Sequence, residues 1–272
     1  MSKLNKMLSI NKEQKKYYEV ASGGLPSLVN SPTTNVYRHI RSRMLAAGAK
    51  KEHAARVDEL HKQWMGDVSN SKVLDLGCGS GNPLSLWLAE NARRYVAIDL
   101  SESRIATLRQ KLPKREHITA VAGDFLSSDF KEGEFDVVYA LAVFHHFKYL
   151  AQFCDSLLQR LKPGARIITY DPLQTWIVAR CLRSLYRPFQ TDRAWEYPFN
   201  SKSLAIIAEK FEVQDCRGFY GKTKLAMLVG LFAPRIGRQM ALKGFLREAK
   251  ENNTLSTISE CLHVSLLLRS KG

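Results

Sequence analysis

Several features that define whole classes of protein are scarce or absent in this sequence. The five cysteines are an odd number, lie far apart and form no C-x-x-C pair, which argues against a disulfide framework or a zinc ribbon and favours reduced thiols. The longest apolar run, residues 225–233, is shorter than the about 20 residues that a membrane-spanning helix needs. The N-terminus has no apolar stretch of the kind that forms a secretory signal. These absences predict a cytoplasmic protein, either soluble or peripheral to a membrane.

Charge is unevenly distributed along the chain of 272 residues. Its 41 basic and 26 acidic side chains give a formal net charge of +15. The net charge is +6 over residues 1–71, +1 over residues 72–171 and +8 over residues 172–272. A neutral middle region is therefore flanked by two basic ones, which indicates an anionic partner or surface without naming it.

The hydrophobic pattern changes at residue 72. Residues 1–71 show helical spacing and no strand signal, whereas short β-branched runs alternate with helical stretches from residue 72 onward. Five strands are predicted before residue 171, a helix over residues 201–211 with Ser201 as its N-cap, and two more strands near residues 213–219 and 262–268. Buried strands that alternate with helices indicate βαβ units and a parallel sheet.

A glycine-rich loop follows the first predicted strand. Asp75 ends that strand, Gly77, Gly79 and Gly81 follow it at alternate positions, and a helix opens at about residue 83. Glycines let the backbone turn sharply and approach a ligand, and the start of a helix offers free N–H donors. The dinucleotide fingerprint G-x-G-x-x-G would need its third glycine at residue 82, which is Asn.

Carboxylates also follow the next two predicted strands. Asp99 ends the second strand, where a carboxylate can accept both hydroxyls of a ribose. Asp124 and Phe125 follow the third strand, in place for the amino group and the ring face of an adenine.

Together these motifs resemble the class I S-adenosylmethionine-dependent methyltransferases over about residues 50–172. The resemblance includes the D-x-G-x-G-x-G loop, the acid at the end of the second strand, Gly123-Asp124-Phe125, the stretch 135–147 and the Leu-Lys-Pro-Gly turn at residues 161–164. It implies an α/β fold, a Rossmann-like, doubly wound, mostly parallel seven-stranded sheet. A helical N-terminal lid over residues 1–50 and a helical insertion before the last strand are expected. Residues 51–272 would form the methyltransferase domain, with core 72–172 and substrate-capping segments 173–200 and 220–260.

The resemblance also implies roles for individual residues in binding S-adenosylmethionine. The glycine loop would hold the methionine part, the second-strand acid the ribose, the third-strand turn the adenine, and the residue after the fourth strand would lie beside the methyl group. The implied cofactor-binding residues are Tyr18, Asp75, Gly77, Cys78, Gly79, Asp99, Leu100, Asp124, Phe125 and Leu141. Of these, Asp75 is expected to order the loop, and Cys78 to contribute only its backbone.

His145 and His146 are the candidate catalytic residues. By the resemblance the first faces the active site, so His145 is predicted as a general base that takes a proton from a substrate hydroxyl, and His146 is the weaker candidate. Positioning alone is the alternative, because the methyl group already has an excellent leaving group. The seven histidines show no ligand spacing on a helix, so no metal is predicted.

The acceptor is narrowed by motifs that are missing. Neither the [Asn/Asp]-Pro-Pro-[Tyr/Phe] motif of amino-methylating nucleic-acid enzymes nor a Pro-Cys nucleophile follows the fourth strand. The small-molecule branch remains, with S-adenosylhomocysteine as the product and methylation of O, N or C of an apolar or anionic metabolite. The residues expected to line the acceptor pocket are Tyr17, Trp176, Trp195 and Tyr197.

Residues 222–243 mix apolar and basic side chains as an interfacial segment does, so a lipidic or membrane-presented acceptor is one hypothesis, and an amphipathic lid in water is the other. An RNA-modifying methyltransferase, suggested by the positive charge, and a non-catalytic protein that keeps the cofactor fold remain the alternatives. The oligomeric state stays open.

Overall fold

Seven strands form a sheet in the order β3-β2-β1-β4-β5-β7-β6. The computed structural model describes residues 3–22, 32–189, 193–251 and 253–271. The strands are β1 Lys72–Leu76, β2 Arg94–Asp99, β3 Ile118–Ala122, β4 Phe135–Leu141, β5 Leu161–Pro172, β6 Phe211–Phe219 and β7 His263–Ser270. Neighbouring strands from β3 to β5 are parallel, and β7 runs antiparallel to both β5 and β6. The predicted mostly parallel seven-stranded sheet is confirmed.

Helices flank both faces of this sheet. Within the described residues they are α1 Lys3–Ser22, α2 Pro32–Ala47, α3 Lys50–Met65, α4 Pro83–Asn91, α5 Glu102–Lys111, α6 Leu150–Leu158, α7 Ile177–Tyr186, α8 Ser201–Lys210, α9 Lys224–Phe232 and α10 Pro234–Glu251. Successive strand residues point to opposite faces, so Val73 packs in the cluster with Leu88 of α4 while Leu74 packs in the cluster with Phe153 of α6. This two-sided burial explains why the strands read as continuous apolar runs.

The strand order places a crevice at the carboxyl end of the sheet. The chain moves outward from β1 to β2 and β3 on one side, and then returns to β4 and β5 on the other side of β1. The loops that follow the neighbouring strands β1 and β4 therefore run in opposite directions and leave a crevice between them. This position is the topological switch point, where open α/β sheets bind ligands.

The predicted cap of α8 is wrong by one residue. The N-cap is Asn200, whose side chain accepts hydrogen bonds from the backbone N–H groups of Lys202 and Ser203, rather than Ser201. Asn is as good an N-cap as Ser, and the helical residues begin at Ser201 because Asn200 keeps an extended backbone.

The N-terminal region divides into two parts that pack in different places. Helix α1 packs against α5 near the crevice, whereas α2 packs against α9 and α10 in the insertion between β6 and β7. Helix α2 thus buries its contacts on the insertion, and the lid over residues 1–50 stays a prediction. The Gly23-Gly24 and Pro26 breaks lie outside the described residues.

All five cysteines are free; four are buried and Cys181 is exposed. Among the described helices, none is both long and apolar enough to cross a bilayer.

Candidate functional site

A cavity of about 340 Å³ opens at the carboxyl ends of β1, β2, β3 and β4, beneath α1. Its volume lies in the range of about 300–1,000 Å³ that is typical of ligand pockets. Eight residues predicted for the site lie on its wall: Tyr18, Gly77, Asp99, Leu100, Asp124, Phe125, Leu141 and His146. The wall also contains residues that the sequence analysis did not single out, among them Asn11, Gln14, Arg104, Val143 and Phe147.

Asp99 is held in place by the backbone on both of its oxygens. The N–H of Gly79 donates to Oδ2 at 2.9 Å, and the N–H of Ser101 donates to Oδ1 at 2.9 Å. Each carboxylate oxygen has a further lone pair, so the group can still accept two hydrogen bonds from a ligand. This is the requirement for binding the two hydroxyls of a ribose.

The glycine loop is bound to β2 and touches the loop after β4. The N–H of Gly77 donates to the Ile98 carbonyl oxygen at 2.8 Å. Gly77 has a φ of +65°, and a Cβ at this position would lie 2.5 Å from Cγ2 of Val143. A side chain would therefore force the two loops apart. Asn82, which occupies the third position of the dinucleotide fingerprint, caps α4 by accepting from the N–H of Ser85.

Three predicted residues lie outside the cavity wall. Asp75 is buried beneath the loop and accepts a hydrogen bond from the Tyr95 hydroxyl at 2.6 Å; burial raises the pKa of Asp75 to about 6. Gly79 uses its N–H for Asp99. Cys78 donates its N–H to the Ile98 carbonyl, and burial raises the pKa of its thiol. All three thus support the loop from outside the wall.

Helix α1 covers the turn that follows β3. Nδ2 of Asn11 lies 3.0 Å from each oxygen of Asp124, and the N–H of Leu126 donates to Oδ1 of the same carboxylate. Burial raises the pKa of Asp124. Phe125 beside it is buried and presents an apolar surface to the cavity.

The C-terminal half of α1 is anchored to α5. The guanidinium of Arg104 lies 4.3 Å from the ring centre of Tyr18, a cation–π contact, and Gln14 donates to the Tyr18 hydroxyl at 3.2 Å. The carboxylate of Glu19 accepts the N–H of Glu102 at the start of α5. Tyr18 of α1 therefore lies on the cavity wall, and its contact with the cofactor stays a prediction.

The two histidines lie in a one-turn 3₁₀ helix, Phe144–His146, and their orientations are the reverse of the prediction. His146 lines the cavity, whereas His145 is 4% exposed and points away from the wall. Nδ1 of His145 lies 2.7 Å from Oδ1 of Asp171, at the end of β5, and Nε2 lies 3.4 Å from Oε1 of Glu196. Neighbouring residues of a 3₁₀ helix point about 120° apart. The carboxylate of Asp171 binds the first ring, which leaves the second for the cavity.

These contacts favour a positively charged His145 ring and a neutral His146 ring at neutral pH. Burial disfavours the charged ring of His145, but hydrogen bonds to Asp171 and Glu196 outweigh burial and raise its pKa to about 9. Burial, together with the neighbouring charge of His145, lowers the pKa of His146 to about 4. Nδ1 of His146 lies 3.0 Å from the Trp195 carbonyl oxygen, which can only accept, so Nδ1 is protonated and Nε2 is left as an acceptor.

The predicted acceptor-pocket residues are not part of this cavity wall. The ring of Tyr17 packs on that of Trp195 at 5.3 Å, and Tyr197 donates its hydroxyl to the Ala194 carbonyl. The Lys224 ammonium lies 3.8 Å from the ring centre of Trp176. The 193–200 segment contacts the 3₁₀ helix instead, since the N–H of Tyr197 donates to the carbonyl of His145. A role of these aromatic residues in binding an acceptor stays a prediction.

The fold and the cavity define an α/β domain with a candidate ligand cavity at its switch point. Residues 74–169 match the family model described as a methyltransferase domain. A 24-methylenesterol C-methyltransferase of Oryza sativa subsp. japonica is 28% identical over 147 residues, which are 52% of this chain and 38% of that protein. A tRNA U34 carboxymethyltransferase of Pseudoalteromonas atlantica is 32% identical over 115 residues, which are 41% of this chain and 33% of that protein.

A solved structure resembles nearly the whole chain. Magnesium protoporphyrin IX methyltransferase from Synechocystis PCC 6803, with bound S-adenosylhomocysteine, aligns with a TM-score of 0.56 over 96% of this chain and 99% of that one, at 15% identity. At this identity the likeness concerns the fold alone. The matched segment spans less than two fifths of either curated relative. Residues 74–169 thus resemble a methyltransferase domain, and the chain as a whole has the fold of a solved methyltransferase.

Proposed function

We propose that the protein transfers the methyl group of S-adenosylmethionine to a small acceptor. The observation that carries the proposal is one cavity wall that holds Asp99 with two unused lone pairs, Asp124 with the apolar face of Phe125, and a neutral His146. These groups suit a ribose, an adenine and an acceptor proton, in the order in which their strands follow one another along the chain.

Each group on the wall has a defined task in this proposal. Asp99 binds the ribose, Phe125 stacks on the adenine, and the carboxylate of Asp124 accepts a hydrogen bond from the amino group of the adenine. When bound, the cofactor supplies a methyl group on a sulfonium, which leaves behind a neutral thioether. Leu141 and Val143 exclude water from the acceptor end, and Nε2 of His146 accepts the proton that an acceptor hydroxyl or amine releases.

For the acceptor we propose an apolar or anionic metabolite presented at an anionic membrane surface. The support is an exposed apolar patch on α9 and α10, formed by Leu225, Leu228, Phe232, Ile236 and Met240. Residues 222–251 around it have seven basic and two acidic side chains, a net charge of +5. Apolar side chains within a basic surface are typical of interfacial helices. Such helices bind anionic lipids both by burying apolar side chains and by the attraction between opposite charges. The free thiols agree with a cytoplasmic location.

An RNA acceptor is the second candidate. It is favoured by the net charge of +15 and by the sequence similarity to a tRNA-modifying relative. It predicts RNA affinity that falls steeply with salt, whereas a membrane-presented metabolite predicts vesicle binding and no tight RNA binding.

Calorimetric titration with S-adenosylhomocysteine tests the cofactor site directly. Asp99→Asn removes the charge from two hydrogen bonds and should cost about 1.5–3 kcal/mol of binding free energy. Asp129→Asn, which changes an exposed carboxylate of similar size, should leave the affinity unchanged. Thermal unfolding checks that both variants fold. Equal affinities of the wild type and Asp99→Asn would remove Asp99 from the ribose site, and no binding by the folded wild type would overturn the proposed function.

A further inference from the structure

Two histidines and a carboxylate converge beside the cavity. Among the residues that the structure describes, His145, His146 and Glu196 each offer a ligand atom, and these atoms all lie within 4.8 Å of one another. The histidines come from the 3₁₀ helix after β4 and the glutamate from the 193–200 segment. The sequence analysis predicted no metal because these residues follow no helical ligand spacing; the fold brings them together across about 50 residues of chain.

Both imidazole rings are oriented with the same nitrogen held by the protein. Nδ1 of His145 is bound by Asp171 at 2.7 Å, and Nδ1 of His146 by the Trp195 carbonyl at 3.0 Å. A hydrogen-bond acceptor on one ring nitrogen fixes the tautomer in which the other carries the lone pair. This is the outer-shell arrangement that orients histidines in metal sites, most often through a carboxylate or a carbonyl.

The charges of the cluster favour a divalent cation. Asp171 and Glu196 place two carboxylates beside the two imidazoles, and Oδ2 of Asp171 is buried with no hydrogen-bond partner. A divalent ion would bring two positive charges to these two carboxylates.

The separation of the donor atoms also fits a shared ion. Nε2 of His145 and Oε1 of Glu196 lie 3.4 Å apart, which is longer than the about 2.7–2.9 Å of a charge-assisted hydrogen bond. Two ligands at about 2.0–2.1 Å from a tetrahedral Zn²⁺ ion lie about 3.3 Å from each other. The pair thus has the spacing of two zinc ligands.

We propose that His145, His146 and Glu196 bind one divalent transition-metal ion, with Zn²⁺ as the best match to two imidazoles and a carboxylate. Nε2 of His145 gives up one proton to the solvent as the ion binds, and both imidazoles coordinate as neutral ligands through Nε2. With the ion bound, Nε2 of His146 no longer accepts a proton, so methyl transfer then depends on positioning alone and the acceptor's proton passes to the solvent. Because His146 also lines the cavity, the fourth position of the tetrahedron is open to that side. The ion joins the 193–200 segment to the 3₁₀ helix beside the proposed methyl-transfer site.

Equilibrium dialysis of Zn²⁺ against chelator-treated protein tests this site without any activity assay. We would use a Cys181→Ser background, because Cys181 is the exposed thiol. One equivalent of Zn²⁺ should bind per chain, and His146→Ala and Glu196→Gln should each weaken it at least tenfold. Asp171→Asn, which acts only through His145, should weaken it 10–100-fold. His39→Ala, at an exposed histidine of α2, is the matched control and should change nothing.

Two further measurements separate this site from adventitious binding. Co²⁺ should give the visible absorption of a tetrahedral ion in the background protein and not in Glu196→Gln. The calorimetric enthalpy of Zn²⁺ binding should vary with the buffer in proportion to one proton released. Zn²⁺ affinity that is equal in the background protein and in the His146→Ala, Glu196→Gln double variant would overturn the proposal, whether or not S-adenosylhomocysteine binds.

Discussion

The wall of the cavity and the surface of α9 and α10 differ in how far their side chains already have partners within the protein. At the wall, the carboxylates of Asp99 and Asp124 each accept hydrogen bonds from the protein on both oxygens. On α9, Phe232 is 91% exposed although it is a large apolar side chain. The net charge is +1 over residues 72–171 and +8 over residues 172–272. The cavity wall is therefore pre-organised by contacts within the chain. The surface of α9 and α10, by contrast, has the composition of a surface that binds a membrane or another partner.

The largest effect should come from breaking the pre-organised wall at Gly77. Gly77→Ala places a Cβ 2.5 Å from Cγ2 of Val143, on a backbone with a φ of +65°. The left-handed conformation and the overpacking together should cost about 2–5 kcal/mol of unfolding free energy. The displaced loop should also abolish detectable S-adenosylhomocysteine binding. Urea unfolding and calorimetry measure the two effects.

A matched pair of variants separates the clash from the backbone strain. Gly79→Ala has a φ of +54° but no atom within 4 Å of the added Cβ, so it should lose about 1–2 kcal/mol and no more. Val143→Ala in the Gly77→Ala background should restore part of the stability. If Gly77→Ala is no less stable than Gly79→Ala, the close approach of the two loops is not what requires glycine there.

The second prediction concerns the pH dependence of stability that the buried His145 imposes. The pKa of His145 is raised from 6.5 to about 9 in the folded protein, so its stabilisation is complete below pH 6.5 and is lost as the pH rises through 9. The loss should be on the order of 3 kcal/mol. Asp171 and Glu196 act directly on His145, His146 interacts with it by charge, and Arg183 acts on Glu196.

Urea unfolding in the presence of a chelator, at pH 6.5 and at pH 9.5, measures this loss. His145→Gln removes the titrating group and should fall less over the same interval. The comparison with this variant is needed because the buried thiols have raised pKa values in the folded protein. These thiols also lower the free energy of unfolding above about pH 9. Parallel falls in both proteins would mean that His145 is not held charged between its two carboxylates.

The motifs of the cavity wall could be predicted because they are local. Asp99 ends a buried strand and Gly77 directly follows one, and parallel strands place their carboxyl ends at the same edge of the sheet. Two strand-end loops therefore meet whatever the rest of the chain does. The same logic predicted Asp124 and Phe125.

The remaining features depend on contacts between distant parts of the chain. Asn11 reaches Asp124 across 113 positions, and no local pattern marks a polar residue of α1 as a partner for that turn. Which of two adjacent histidines faces the cavity is decided by Asp171 and Glu196, which lie on β5 and in the 193–200 segment. The predicted orientation was wrong because it took no account of these two carboxylates.

The smallest effect should be seen at the exposed surface of α9, where several apolar side chains contribute together to the proposed membrane contact. Phe232→Ser removes one exposed apolar side chain and should weaken binding to vesicles containing anionic lipid by about 1–2 kcal/mol, measured by co-sedimentation. Leu4→Ser, at an exposed apolar residue of α1 outside the patch, should change nothing. Because the surrounding net charge of +5 contributes as well, binding should weaken with salt in both proteins. A wild type that ignores anionic vesicles at low salt would show that this surface meets water or another protein, and would leave the pre-organised cavity unaffected.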